Sequence, residues 1–274
     1  MTNQVCENDA RLASEYITKH FGPAATADLG IVLGTGWGDS LALSSETGLA
    51  LRQIPGFKFL GELHGHDRKL IHTKIMDRNV WVLKGRIHLN ESPFGEHVPR
   101  MVRLQIETLI KLGVRNLIIT NAVGSLVEHI SVGDVVIVNG FVTVFAPPMP
   151  LWVGEFCSPE DALDGQFQNI AERAGRDTIQ THRGGLVMLR GPFFEGRALD
   201  KKLLLKSGAV VVGMSMLPEA CIASLYGVRV LGLSFVTNDA VEEHSHEDNI
   251  SRAKAHSMRL GEFLEKIVAA IPGR

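Results

Sequence analysis

The residues best equipped for chemistry sit where apolar, strand-like runs give out. LGIVL (29–33) opens onto Gly34-Thr35-Gly36, and VWVLK (80–84) onto Gly85-Arg86-Ile87-His88. NLIIT (116–120) opens onto Asn121-Ala122-Val123-Gly124. Further along come Gly191-Pro192-Phe193-Phe194-Glu195, then Gly213-Met214-Ser215, then Thr237-Asn238. Ligands of α/β folds gather at the carboxyl ends of strands. Taken together these ends offer a basic pair, hydroxyls, small residues that expose backbone N–H groups, a carboxylate and side-chain amides. Such a set can hold a free dianion beside a polar heterocycle. Arg grips phosphate through two parallel bonds, and hydroxyls and backbone amides complete the cradle. Glycine lets the backbone approach an anion closely.

The opening turn is not a nucleotide loop. Gly34 and Gly36 fit G-x-G-x-x-G, but Asp39 stands at the third glycine, and IPGFKF near residue 54 lacks the ribose-binding acid of a dinucleotide fold. No Gly-Lys-Ser/Thr follows, which excludes a triphosphate loop. Plainer roles exist for each residue. Thr35 and Ser215 can cap helices, a role compatible with anion binding. Arg86 and His88, two apart on one side, can each join a surface ion pair with an acid. Asn238 can serve a turn, Met214 can fill the core, and Glu195 can be solvated. Glu91, three residues after His88, can orient the imidazole and favour its charged form. His64, His66 and His72, with His244, His246 and the acids of DAVEEHSHED (239–248), have a ligand-like composition but no known metal spacing, so no metal site is expected.

The elements that must position these residues alternate along the chain. Helices are expected over 7–20, 96–112, near 161–174, near 197–206, near 217–226 and at the C-terminus, the last through Ile250, Ala253, Leu260, Leu264, Ile267 and Ile271. Strands are expected over 29–33, 70–76, 80–85 (joined to the previous one by Asp77-Arg78-Asn79), 116–124, 134–140, 185–191, 209–215 and 228–238. Residues 141–184 carry Pro147-Pro148 and Pro150 and read as a loop-rich excursion, the place for a lid or a subunit contact. With no linker between halves, the chain reads as a single α/β domain over 1–274, with a central, mostly buried mixed sheet flanked by helices.

Bulk properties exclude several classes. Among 274 residues 45% are apolar and 21% charged, and the net charge is −2, so no global field draws nucleic acid or anionic membrane. No stretch approaches the roughly 18 apolar residues of a membrane span. Cys6, Cys157 and Cys221 are odd in number and lack a CxxC pair, which suits a reducing compartment. MTNQVCENDARL has no apolar signal region, and the expected location is the cytoplasm.

In sequence order, LGTGWGD (33–39), GH (65–66), KGRIHLNE (84–91), TNAVGSL (120–126), VGD (132–134), GPFFE (191–195), VGMSMLPE (212–219), VTN (236–238) and HEDN (246–249) resemble the trimeric class of purine nucleoside phosphorylases, which includes the methylthioadenosine phosphorylases. The resemblance implies the nucleoside phosphorylase fold and phosphorolysis of a purine nucleoside to free base and ribose 1-phosphate. It implies a homotrimer, with phosphate as co-substrate and no cofactor. Phosphate would be held by Thr35, His66, Arg86, His88, the backbone N–H of Ala122, and Ser215. Base and ribose would contact Phe194, Glu195, Val212, Met214, Thr237, Asn238 and His246. His88, Glu195 and Asn238 would carry the catalysis. Asn238, where 6-aminopurine enzymes of the family carry aspartate, points to inosine and guanosine. A 6-aminopurine or methylthioadenosine phosphorylase and a non-catalytic purine-binding protein are the alternatives. The chain departs from the family at Asn90, where an aromatic that touches the sugar is usual, and at Asp239, where a basic residue is common. The stretch from Asn238 to His246 is also short, and within 141–184 no residue is assigned as the aromatic that a neighbouring subunit contributes.

Overall fold

Nine strands and six helices organise the described part of the chain. The computed structural model describes residues 2–43, 48–58, 68–91, 97–191, 199–239, 251–252 and 254–273. In order they form α1 (Thr2–Phe21), β1 (Leu29–Leu33), β2 (Leu49–Ala50), β3 (Lys69–Ile75), β4 (Arg78–Lys84), α2 (His97–Lys111) and β5 (Asn116–Ser125). Then follow β6 (Val135–Val142), α3 (Gly165–Gly175), β7 (Thr181–Met188), α4 (Leu199–Lys206), β8 (Ala209–Gly213), α5 (Leu217–Leu225), β9 (Arg229–Asp239) and α6 (Ser257–Ala270).

All the strands join one mixed sheet in the order β2-β3-β4-β1-β5-β8-β7-β6-β9, and β9 also pairs with β5. Strands β5, β8, β7, β6 and β9 therefore close on themselves, which leaves β5 and β9 no open edge there. At the heart, β1 runs parallel to both β4 and β5, with Ile31 level with Val82 and Ile118. Every residue of β1 is buried. Strand periodicity sends Val32 into the core shared with α1 and α2, and Leu29, Ile31 and Leu33 into the one shared with α3 and α6. An apolar run without alternation is what a strand covered on both faces needs.

Several expected boundaries moved: α1 begins at Thr2 and not at residue 7, β8 ends at Gly213 and not at 215, and β7 ends at Met188 and not at 191. Two further shifts have a clear cause in strand pairing. The hairpin between β3 and β4 pairs Ile75 with Arg78, so its turn is Met76-Asp77 and not Asp77-Arg78-Asn79. Both turn residues have positive φ (47° and 64°), the primed geometry that matches strand twist. Strand β7 begins at Thr181 instead of Gly185, because Thr181–Gly184 pair with Val135–Val138 of β6. The excursion thus ends earlier than its composition suggests. Ile250 and Ala253, expected in the last helix, lie outside the described residues. No helix among the described residues is long and apolar enough to cross a membrane.

Candidate active site

Parallel pairing of β4, β1, β5 and β9 brings four of the strand ends to one edge of the sheet. Thr35 follows β1 in a half-buried turn closed by the Gly34 carbonyl accepting from Trp37 N–H at 3.0 Å. No helix follows Thr35 directly, so it does not act as a cap. The turn is pinned to β5: Gly34 N–H donates to Thr120 Oγ1 at 3.0 Å, and Trp37 Nε1 donates to the Asn121 carbonyl at 3.0 Å. Glycine is required at 34, since an added Cβ would lie 2.5 Å from Arg86 Nη2 and closer still to the Thr120 carbonyl oxygen.

Arg86, just past β4, is fully buried. Its Nη1 donates to Glu219 Oε1 at 2.6 Å, and its Nη2 donates to the Thr120 carbonyl. A surface ion pair is therefore excluded for Arg86, whose carboxylate partner is buried as well. Glu219 lies on α5 and is 2% exposed. Sequence reasoning gave it no role, although an acid inside the apolar run LPEACIA is a signal.

His88, 13% exposed, has Nδ1 3.5 Å from Glu91 Oε1, the same oxygen that accepts from His88 N–H at 2.8 Å. Arg68 Nη2 donates to the other Glu91 oxygen at 2.7 Å. Burial pushes the His88 pKa down, the Glu91 bond pulls it up, and the Arg86 charge pushes it down again, leaving it below its ordinary value. Glu91 favours the charged imidazole as expected, but burial wins. Burial pushes the Glu91 carboxyl up, yet its bonds from His88 and the Arg68 charge outweigh this and hold it below the usual range.

The loops after β7 and β8 meet the end of this segment. Asn90 Nδ2 lies 3.7 Å from Met214 Sδ, and a Cβ on Gly191 would sit 2.6 Å from the first and 2.8 Å from the second. The Asn90 that departs from the family pattern thus lies against the expected sugar-contacting Met214. Ala122 is part-exposed on β5, level with Phe235. Val212 of β8 pairs with Gly124 and is buried. Ser215 is also buried, and α5 is capped by Met216 (φ 78°), so Ser215 is not that helix's cap. Asn238 does not serve a turn. It is the penultimate residue of β9, level with Gly124 across a bulge in which Thr237 is the extra residue. Thr237 Oγ1 donates to Asn238 Oδ1 at 3.0 Å, and Asn238 Nδ2 donates to the Asp239 carbonyl at 3.2 Å. Ser234 Oγ, behind the site, donates to Asn121 Oδ1 at 2.7 Å.

His66, Phe194, Glu195 and His246 lie outside the described residues, as do His64 and His244 of the histidine-rich stretches. The His72 ring lies 4.6 Å from that of Trp81 at an interplanar angle of 53°, and His72 Nε2 lies 3.3 Å from the Thr26 carbonyl. Among the described residues no group of three His, Cys, Asp or Glu is placed to hold a metal ion.

The phosphorylase superfamily model matches residues 28–269, which include every one of these positions. A purine nucleoside phosphorylase of Mycobacterium tuberculosis is 32% identical over 266 residues, spanning 95% of both chains. The chain belongs to the purine nucleoside phosphorylase family. Structures of the Schistosoma mansoni member superimpose over 97% of this chain and 98% of theirs. The one in complex with inosine gives a TM-score of 0.85 at 25% identity, and the one with adenosine 0.84 at 26%. The family's mixed sheet flanked by helices is the fold found here.

Proposed function

We propose that the protein splits the N-glycosidic bond of 6-oxopurine nucleosides with inorganic phosphate, releasing hypoxanthine or guanine and ribose 1-phosphate. The observation that carries the reading is the buried Arg86 gripped at the meeting of the β1 turn, β5 and α5, in a chain of this family. Thr35, His66, Arg86, His88, the Ala122 N–H and Ser215 bind the phosphate. Held beneath C1′, the dianion stabilises the developing oxocarbenium ion and attacks it without the entropy cost of a free encounter. Negative charge moves onto the purine as the bond breaks. Asn238 meets it with an amide dipole, and Glu195 fixes the base by accepting from its N–H groups. The bonds of Asn238 to Thr237 and Asp239 orient the amide, which has a second N–H and a second lone pair for the base. Phe194, Val212, Met214, Thr237 and His246 line the base and ribose. Phosphate is a co-substrate, and the chemistry requires no cofactor because the Arg86 guanidinium supplies the positive charge.

Preference for a 6-oxopurine rests on Asn238, since the structural neighbours hold inosine and adenosine alike. Comparing kcat/KM for inosine, guanosine, adenosine and methylthioadenosine at fixed phosphate tests it. Inosine and guanosine are expected to lead, and a clear lead for adenosine or methylthioadenosine refutes it. The cytoplasm is the proposed location, and a homotrimer the proposed assembly. Val144, Val153 and Phe156 of the excursion support an assembly, being 75%, 99% and 91% exposed.

A further inference from the structure

Arg86 is a charge with almost no water around it, and such a group needs compensation from the protein. Compensation comes from two directions. The Thr120 carbonyl accepts from Nη2, and Glu219 Oε1 accepts from Nη1 at 2.6 Å. The two acceptors stand 34 and 133 residues from Arg86, on different elements, and they take the two terminal nitrogens separately. A planar guanidinium held at both ends cannot swing. The β1 turn closes on it too, since a Cβ at Gly34 would lie 2.5 Å from Nη2. Glu219 stands in the first turn of α5, at the end of the helix where the macrodipole is positive. The left-handed Met216 that starts this helix lies between Ser215 and Glu219, so one short turn sets both.

We infer that Glu219 is a positioning residue for phosphate recognition: it fixes the Arg86 guanidinium in the orientation that receives the anion. The inference rests on the phosphorolytic reading above. It makes a prediction opposite in sign to that of a plain counter-charge. A carboxylate that merely offset Arg86 would repel the arriving dianion, and its removal would lower the phosphate KM. A carboxylate that holds the guanidinium in place raises that KM when removed.

The experiment measures KM for phosphate and for inosine separately, each at saturating co-substrate, in the wild type, Glu219→Ala, Glu219→Gln and Glu219→Asp. Glu219→Ala is expected to raise the phosphate KM about tenfold while the inosine KM stays within about twofold. Glu219→Gln, whose amide oxygen still accepts from Nη1, is expected to recover most of that loss. Where Glu219→Ala does not fold, Glu219→Asp decides. It keeps the charge but falls one methylene short, and is expected to raise the phosphate KM about threefold. A phosphate KM that is unchanged or lower in every folded variant, or two KM values that rise together, overturns the inference. A wild type whose nucleoside cleavage ignores phosphate overturns the functional reading instead, so the two failures are distinguishable.

Discussion

Burial and hydrogen bonding pull His88 in opposite directions, and burial wins, so the imidazole is neutral near pH 7. The unfolded chain takes up this proton near pH 6.5, whereas the folded chain takes it only at lower pH. Stability therefore falls as pH drops through 6.5 toward the folded value. Glu91 acts in the same direction at lower pH. Its stabilisation is present above about 4.5 and is lost as pH falls through its depressed folded value. Glu91→Gln removes the charge that pulls His88 up, so His88 is expected to titrate at still lower pH in that variant. Imidazole NMR titration checks this, and an unchanged or higher His88 value contradicts it. Arg86 and His88 were legible in the sequence because both follow the same strand at a spacing of two. Glu219 was not, because nothing local to VGMSMLPE says which strand end its carboxylate will meet 133 residues away. For Asn90 the sequence flagged a departure, and the structure supplies the neighbour, Met214.

Among elements, α2 is tied to the excursion after β6 through one buried side chain. Arg103 donates to Glu107 at 2.6 Å and to both oxygens of Glu155 at 2.5 and 2.9 Å, and lies 5.2 Å from the Trp152 ring centroid. Tyr226, just past α5, donates to the same Glu107 oxygen at 2.6 Å. Burial and this bond push the phenol up to about 12. Arg103→Ala leaves Glu107 buried without its cation, and breaking such a pair costs about 3–5 kcal/mol. Urea unfolding is expected to show a loss of that size, together with faster proteolysis at 150–157. A loss under about 1 kcal/mol contradicts the anchoring role. The same excursion shows where sequence reading stops. Strand β1 is bounded as its apolar run predicts, because its core packing on both faces agrees with its composition. The start of β7 is polar (Thr-His-Arg), and only its pairing with β6 makes it a strand. The turn at Met76-Asp77 puts methionine at positive φ, a choice set by register against residue preference.

At the scale of the whole molecule, the ring β5-β8-β7-β6-β9 carries Ala122, Val212 and Asn238 on adjoining strands and leads directly into Met214 and Ser215. Alternation of strands and helices announced the fold class, but closure of that ring depends on long-range pairing that periodicity does not encode. Light scattering is expected to give three times the 29.9 kDa chain mass, and a particle of one chain mass contradicts the proposed trimer. The central claim is that a free inorganic anion, and not water, attacks the sugar. It is tested most directly by following inosine cleavage with phosphate present and rigorously removed, with the sugar product identified. Hypoxanthine release that requires phosphate and yields one ribose 1-phosphate per base is the predicted result. Release at the same rate without phosphate, yielding free ribose, contradicts it, as does tight hypoxanthine binding with no cleavage at any phosphate concentration.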